Sequence, residues 1–144
     1  MDNRKSQIEI EPKPRYETRK AIEELAKELN LAHDDFMQDW PYEVVEPEDI
    51  EKYLAHYKKT EDDDKKFILM EMLIQSVEEQ INEEKFTHYC NIVSDLIEKD
   101  FLIHEYTIWY WCIFEEDDIH NTWRVTPFLR ELWHKIKDRD VPPE

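Results

Sequence analysis

The sequence predicts an all-α protein, an irregular bundle of about six helices. The first observation behind this is the complete absence of glycine from 144 residues, where ordinary usage would supply about ten. Glycine provides the positive φ angles that two-residue hairpin turns favour, so its absence disfavours a hairpin-rich β architecture. The second is that apolar residues recur at spacings of three and four along most of the chain, which lines one face of a helix. The third is that Thr18, Pro47, the run from Thr60 to Asp63 and the pair Thr126, Pro127 stand where helices would begin.

Residues 1–15 contain Pro12, Pro14 and mixed charge and read as a polar arm, leaving residues 16–140 as a single helical domain. From Glu17 to Leu31, the positions Ala21, Ile22, Leu25, Ala26 and Leu29 form one apolar face, with Thr18 as the cap. Residues 32–46 lose that period and include Pro41, which predicts a long loop carrying Phe36, Trp40 and Tyr42. Pro47 suits the first position of a short second helix, whose stripe is Ile50, Tyr53, Leu54 and Tyr57. Thr60 precedes a carboxylate by three residues and opens an acidic first turn, so a third helix is expected from there to about Ile81. Its section from Phe67 to Ile74 is apolar nearly all round, which predicts a central helix enclosed by others.

Glu83 to Lys99 reads as a fourth helix on Phe86, Tyr89, Cys90, Val93, Leu96 and Ile97. Between Tyr106 and Phe114 the residues are strong strand formers. The segment from Phe101 to Phe114 nevertheless lacks alternation and is long for a strand, so it is read as a buried helix. The last helix has Phe128, Leu129, Leu132, Trp133 and Ile136 on its apolar face and Lys135, Lys137 and Arg139 near its C-terminal end. Two successive helix pairs fit helical-repeat-like stacking as well as an irregular bundle, although no sequence repeats at a fixed period.

Charge narrows the choice of partner. Formal net charge is −17, and residues 1–20 hold six basic and four acidic residues, which leaves 13 basic against 32 acidic beyond them, a net of −19. Such a field repels nucleic-acid phosphates and anionic membrane surfaces and attracts basic partners. The first twenty residues carry no secretory apolar run, Cys90 and Cys112 lack CxxC spacing, and no apolar run spans a membrane, so a cytosolic location is expected.

Without glycine, phosphate-binding loops, dinucleotide-binding turns, EF-hands and the hydrolase nucleophile elbow are excluded. Glu84 and His88 share a helix face, but no paired Glu-x-x-His motif accompanies them, so neither a metal nor another cofactor is expected. The six histidines are scattered and nothing singles out a catalytic pair, so the chain is read as a non-enzyme. Glu71, Gln75, His104 and Glu105 lie in apolar helices and should be partly buried, each needing a partner.

The run Glu115, Glu116, Asp117 and Asp118 stands out because it falls at a helix C-terminus, where the dipole disfavours negative charge. His120 and Trp123 follow it, and an aromatic beside charges on a loop has the character of an interface hot spot, against the plainer reading of a solvated turn with Trp123 tucked inward. The loop with Asp35, Phe36, Asp39, Trp40 and Tyr42 is similar, although there Phe36 and Trp40 are expected to anchor the loop to the core. The sequence therefore points to a protein-binding module for a basic protein. Its most concrete form, on charge and size alone, is an immunity- or antitoxin-like inhibitor of a toxin such as a nuclease. The alternatives are a helical-repeat-like scaffold for a peptide or helix and a helical enzyme or carboxylate metal protein.

Overall fold

The structure is a computed structural model that describes residues 8–140. Among them it contains seven α-helices and no strand: α1 (Arg19–Leu29), α2 (Trp40–Glu43), α3 (Ile50–Lys59), α4 (Asp63–Glu78), α5 (Glu83–Lys99), α6 (Phe101–Cys112) and α7 (Thr126–Asp140). Short 3-10 turns occupy Pro47–Asp49 and Ile119–Asn121. The all-α class and the six expected helices are present.

Two local expectations are corrected. The stretch 32–46 is not wholly loop, because Trp40–Glu43 forms one helical turn. Pro41 falls in its first turn, where its missing N–H is no loss, and Trp40 and Pro41 are buried. Thr60 does not cap the third predicted helix; its extended backbone ends α3, and its N–H bonds back to the carbonyls of His56 and Tyr57. Asp62 is the cap of α4, its carboxylate accepting from the Lys65 N–H at 3.1 Å. Thr18 caps α1 as expected, accepting from Ala21 N–H at 3.2 Å.

The chain forms two compact units, one of residues 16–89 and the other of the segment up to Arg15 together with Cys90 onward. In the second unit α6 packs on α7. The described part of the expected arm is docked there: Ile8 is buried, the Trp133 indole N–H donates to its carbonyl at 2.9 Å, and the Trp109 indole donates to the Glu9 carbonyl at 3.0 Å. Residues 1–7 of that arm lie outside the described residues. Helix α6 buries Phe101, His104, Thr107, Ile108, Trp111 and Cys112, while Leu102 and Tyr110 face solvent. The segment is a helix, as expected, and is largely buried, with Leu102 and Tyr110 left exposed. Cys90 and Cys112 are buried and not joined to each other. Among the described residues no helix is long and apolar enough to cross a membrane.

The unit of residues 16–89 is built round α4. Its Phe67, Ile68, Leu69, Met70, Met72, Leu73, Ile74 and Val77 are all buried, and α1, α2, α3 and the Pro47–Asp49 turn pack against it. Polar groups on so apolar a helix need internal partners. Ser76 returns its hydroxyl to the Met72 carbonyl at 2.8 Å, and Gln80, just past the end of the helix, donates to the carbonyls of Pro47 and Ser76. Nearer the surface, Glu28 of α1 accepts from His56 of α3 at 2.7 Å and from Lys65 of α4 at 2.6 Å, tying three helices together.

Glu71 is the exception in this core. The Tyr42 hydroxyl donates to its Oε2 at 3.0 Å, while its buried Oε1 receives no donor. Burial pushes its carboxyl up to about 9, and the negative charge of neighbouring Glu17 pushes the same way. Burial also raises Glu17, opposed by its hydrogen bond with Glu71. Glu71 thus keeps its proton at neutral pH, with burial as the main cause and the nearby charge of Glu17 adding to it. From the ordinary value of 4.5 up to about 9, the folded protein keeps a proton that the unfolded chain releases, and stability falls as pH rises through that window. Glu71→Gln supplies a permanent donor of the same size. We expect denaturant unfolding at pH 5, 7 and 9 to show the variant losing most of this decline and exceeding the wild type at pH 9 by a few kcal/mol, on the order the linkage implies. Parallel profiles would show that Glu71 titrates normally.

Candidate partner-binding surface

The segment that joins α6 to α7 carries the acidic run, and its course is set by how α6 ends. The last carbonyls of a helix have no partner within it and attract cations. With no glycine at hand, the chain leaves α6 through Ile113 in the left-handed region, at φ 46° and ψ 57°. A β-branched residue there is strained by about 1–2 kcal/mol. Helix α7 compensates. The Arg130 guanidinium donates to the carbonyls of Cys112 at 2.6 Å, Ile113 at 2.6 Å and Glu116 at 2.9 Å, and the Thr126 hydroxyl donates to the Trp111 carbonyl at 2.8 Å. Arg130 thereby places a cation at the C-terminal end of α6, where the helix dipole favours one.

The four carboxylates divide into two kinds. Glu116 accepts from the Asp118 N–H at 3.1 Å and from the Asn121 side chain at 3.4 Å, and Asp118 accepts from the His120 N–H at 3.0 Å. These two organise the loop and start the Ile119–Asn121 turn, which the Thr122 hydroxyl closes on the Ile119 carbonyl at 2.7 Å. Glu115 and Asp117 point into solvent, as does His120.

Trp123 returns across the end of α6. Its ring lies 4.5 Å from buried Trp111 and 5.9 Å from Tyr110, yet it keeps 37% of its surface exposed, and Tyr110 keeps 50%. Between them opens a cleft of about 250 Å³ lined by Trp109, Tyr110, Ile113, Phe114, Glu115 and Trp123. Glu115 is its single charged wall. Cys112, the last residue of α6, is no reactive thiol, because burial pushes it well above the ordinary range.

The structure brings Glu115, Glu116, Asp117, Asp118, His120 and Trp123 together as one surface feature. The first loop fares differently and belongs to the other unit. Trp40 is 1% exposed, with its indole N–H donating to the Ala32 carbonyl at 2.7 Å. Tyr42 is half-buried and committed to Glu71, so neither aromatic is presented to a partner there. Phe36, expected as an anchor, is instead 92% exposed, because Asp34 turns the chain outward by accepting its N–H at 2.8 Å. Asp35 is exposed beside Arg19 at 2.9 Å, and Asp39 is exposed at the start of α2. No protein-family model, curated protein or solved structure matches this chain.

Trp109, Tyr110, Ile113 and Phe114 form most of the cleft wall, and the sequence reading assigned them to a buried helix. The signal that could have found them is the excess of aromatics on α6 beyond what one helix face can bury. Among the described residues no group of three or more His, Cys, Asp or Glu side chains converges on a metal-binding geometry.

The anchoring role of Arg130 is testable. Arg130→Met should lower unfolding free energy by about 2–3 kcal/mol, because several half-buried carbonyls lose a charged donor. Arg130→Lys should recover little, since one ammonium cannot reproduce the fork. Urea denaturation midpoints that barely move would remove Arg130 from this role.

Proposed function

We propose that this chain is a protein-binding module that engages a basic protein partner through the 115–123 loop and the aromatic cleft beside it. The observation that carries the reading is the pairing, on one anchored loop, of outward-facing Glu115 and Asp117 with the half-exposed rings of Trp123 and Tyr110. Carboxylates at the edge of an aromatic patch have the composition of a hot spot with a charged rim. The net charge of −17 extends the same preference over long range, accelerating encounter with a cationic surface.

In its most concrete form the module neutralises its partner, as an immunity- or antitoxin-like inhibitor covers the cationic active-site surface of a toxin such as a nuclease. The mechanism is occlusion: steering brings the acidic loop to the basic surface, and the aromatic anchor slows release. It requires no catalytic group of its own.

The double variant Glu115→Lys/Asp117→Lys should abolish this without unfolding the protein, since neither side chain holds the loop together. In pull-downs from a cell lysate, the wild type should retain a basic protein at low salt and release it at high salt. The double variant should bind that protein at least about tenfold more weakly by calorimetry. Equal affinity of the two forms would move the binding surface elsewhere.

A further inference from the structure

We propose that the cleft between α6 and Trp123 is an arginine pocket, which receives one guanidinium side chain of the basic partner. This rests on the reading above and makes it specific.

The first argument is size. A cleft of about 250 Å³ is smaller than the roughly 300–1,000 Å³ of sites that enclose whole small molecules, and it suits a single long side chain. The second is the chemistry of its walls. Four of its six lining residues are aromatic, Trp109, Tyr110, Phe114 and Trp123, and aromatic rings attract cations over their faces, while Glu115 is the one charged residue of the lining. Ile113 supplies an apolar contact for the methylene stem of the guest.

The third argument is that this fold already places cations on aromatic rings. The Arg130 guanidinium lies 5.9 Å from the Phe114 ring centre, and the Lys137 ammonium lies 5.0 Å from that of Trp133. Arg130 takes up Phe114, so the surfaces left to a guest are those of Tyr110 and Trp123, the two rings with substantial exposure. Repulsion by the resident cations is outweighed, because residues 113–130 contain Glu115, Glu116, Asp117 and Asp118 against Arg124 and Arg130. Arg130 is moreover committed to three carbonyls.

Arginine is favoured over lysine on the same grounds. A planar guanidinium stacks on an aromatic face while its fork pairs with a carboxylate, and it is less strongly hydrated than an ammonium. Trp123 is held against Trp111 at 4.5 Å, so the pocket wall exists before the guest arrives and little ordering cost falls on binding.

The test follows the indole N–H signals of the five tryptophans by NMR during titration of the whole protein with n-butylguanidinium, n-butylammonium and neutral n-butylurea. Guanidinium should shift Trp123 and Trp109 selectively, ammonium should bind at least about threefold more weakly, and urea should leave both in place. Glu115→Gln, a change on an exposed side chain, should weaken guanidinium binding about tenfold. Trp123→Leu should abolish it, with the other indole signals reporting that the fold persists. Equal shifts from urea, or none at Trp123 and Trp109 with guanidinium, would overturn the pocket. A hexa-arginine peptide separates the two claims. If it perturbs the amides of residues 115–118 but leaves the cleft indoles unmoved, the arginine pocket fails and the acidic surface stands. If guanidinium occupies the cleft but no basic protein is retained from lysate, the pocket stands and the wider reading fails.

Discussion

A helix without a polar face has to be surrounded, and α4 imposes that requirement on residues 16–89. Its buried run from Phe67 to Ile74 leaves no side for water, so α1, α2 and α3 each turn an apolar stripe toward it. Even α2, a single turn, follows from this demand, since the bulk of Trp40 is removed from solvent by it. The polar groups that remain inside are resolved by short internal bonds, and Glu71 by holding a proton. Enclosure, more than helix propensity, decides the local structure here.

The other unit is organised by the opposite need, which is to finish a helix rather than to hide one. Main-chain carbonyls at the end of α6, and at Ile8 and Glu9, are met by side-chain donors from Arg130, Thr126, Trp133 and Trp109. The indoles serve twice, as bulk in the packing and as single directed donors. Such bonds tie segments distant in sequence without calling for any particular residue at the acceptor.

This contrast explains how much of the protein could be read from its sequence. The helices were legible because a spacing of three and four is local, as was the cap at Thr18. Residue 60 was misjudged because threonine and aspartate are both good caps, and which one starts α4 depends on where α3 stops. The exposed flank of α6 was hidden because a helix with few polar residues carries no phase to show which side is covered. Glu71 was recognisable as a buried polar group, whereas Glu17 and Tyr42, far away in sequence, were not recognisable as its companions. At the candidate surface, Trp123 and the four carboxylates were visible from their neighbourhood in the chain. The rings that join them lie across a turn held by Arg130, a residue that reads as one more charge on a helix face.

The division of labour within the acidic loop has an evolutionary corollary. Its frame is fastened through backbone oxygens, which every amino acid carries, and through the carboxylates of Glu116 and Asp118, which accept main-chain N–H groups of the loop. Positions 115 and 117 contribute nothing to that frame, so a lineage can rewrite them while the scaffold persists. Changing those two positions alters the charge that the loop shows to solvent without touching the bonds that hold it in place.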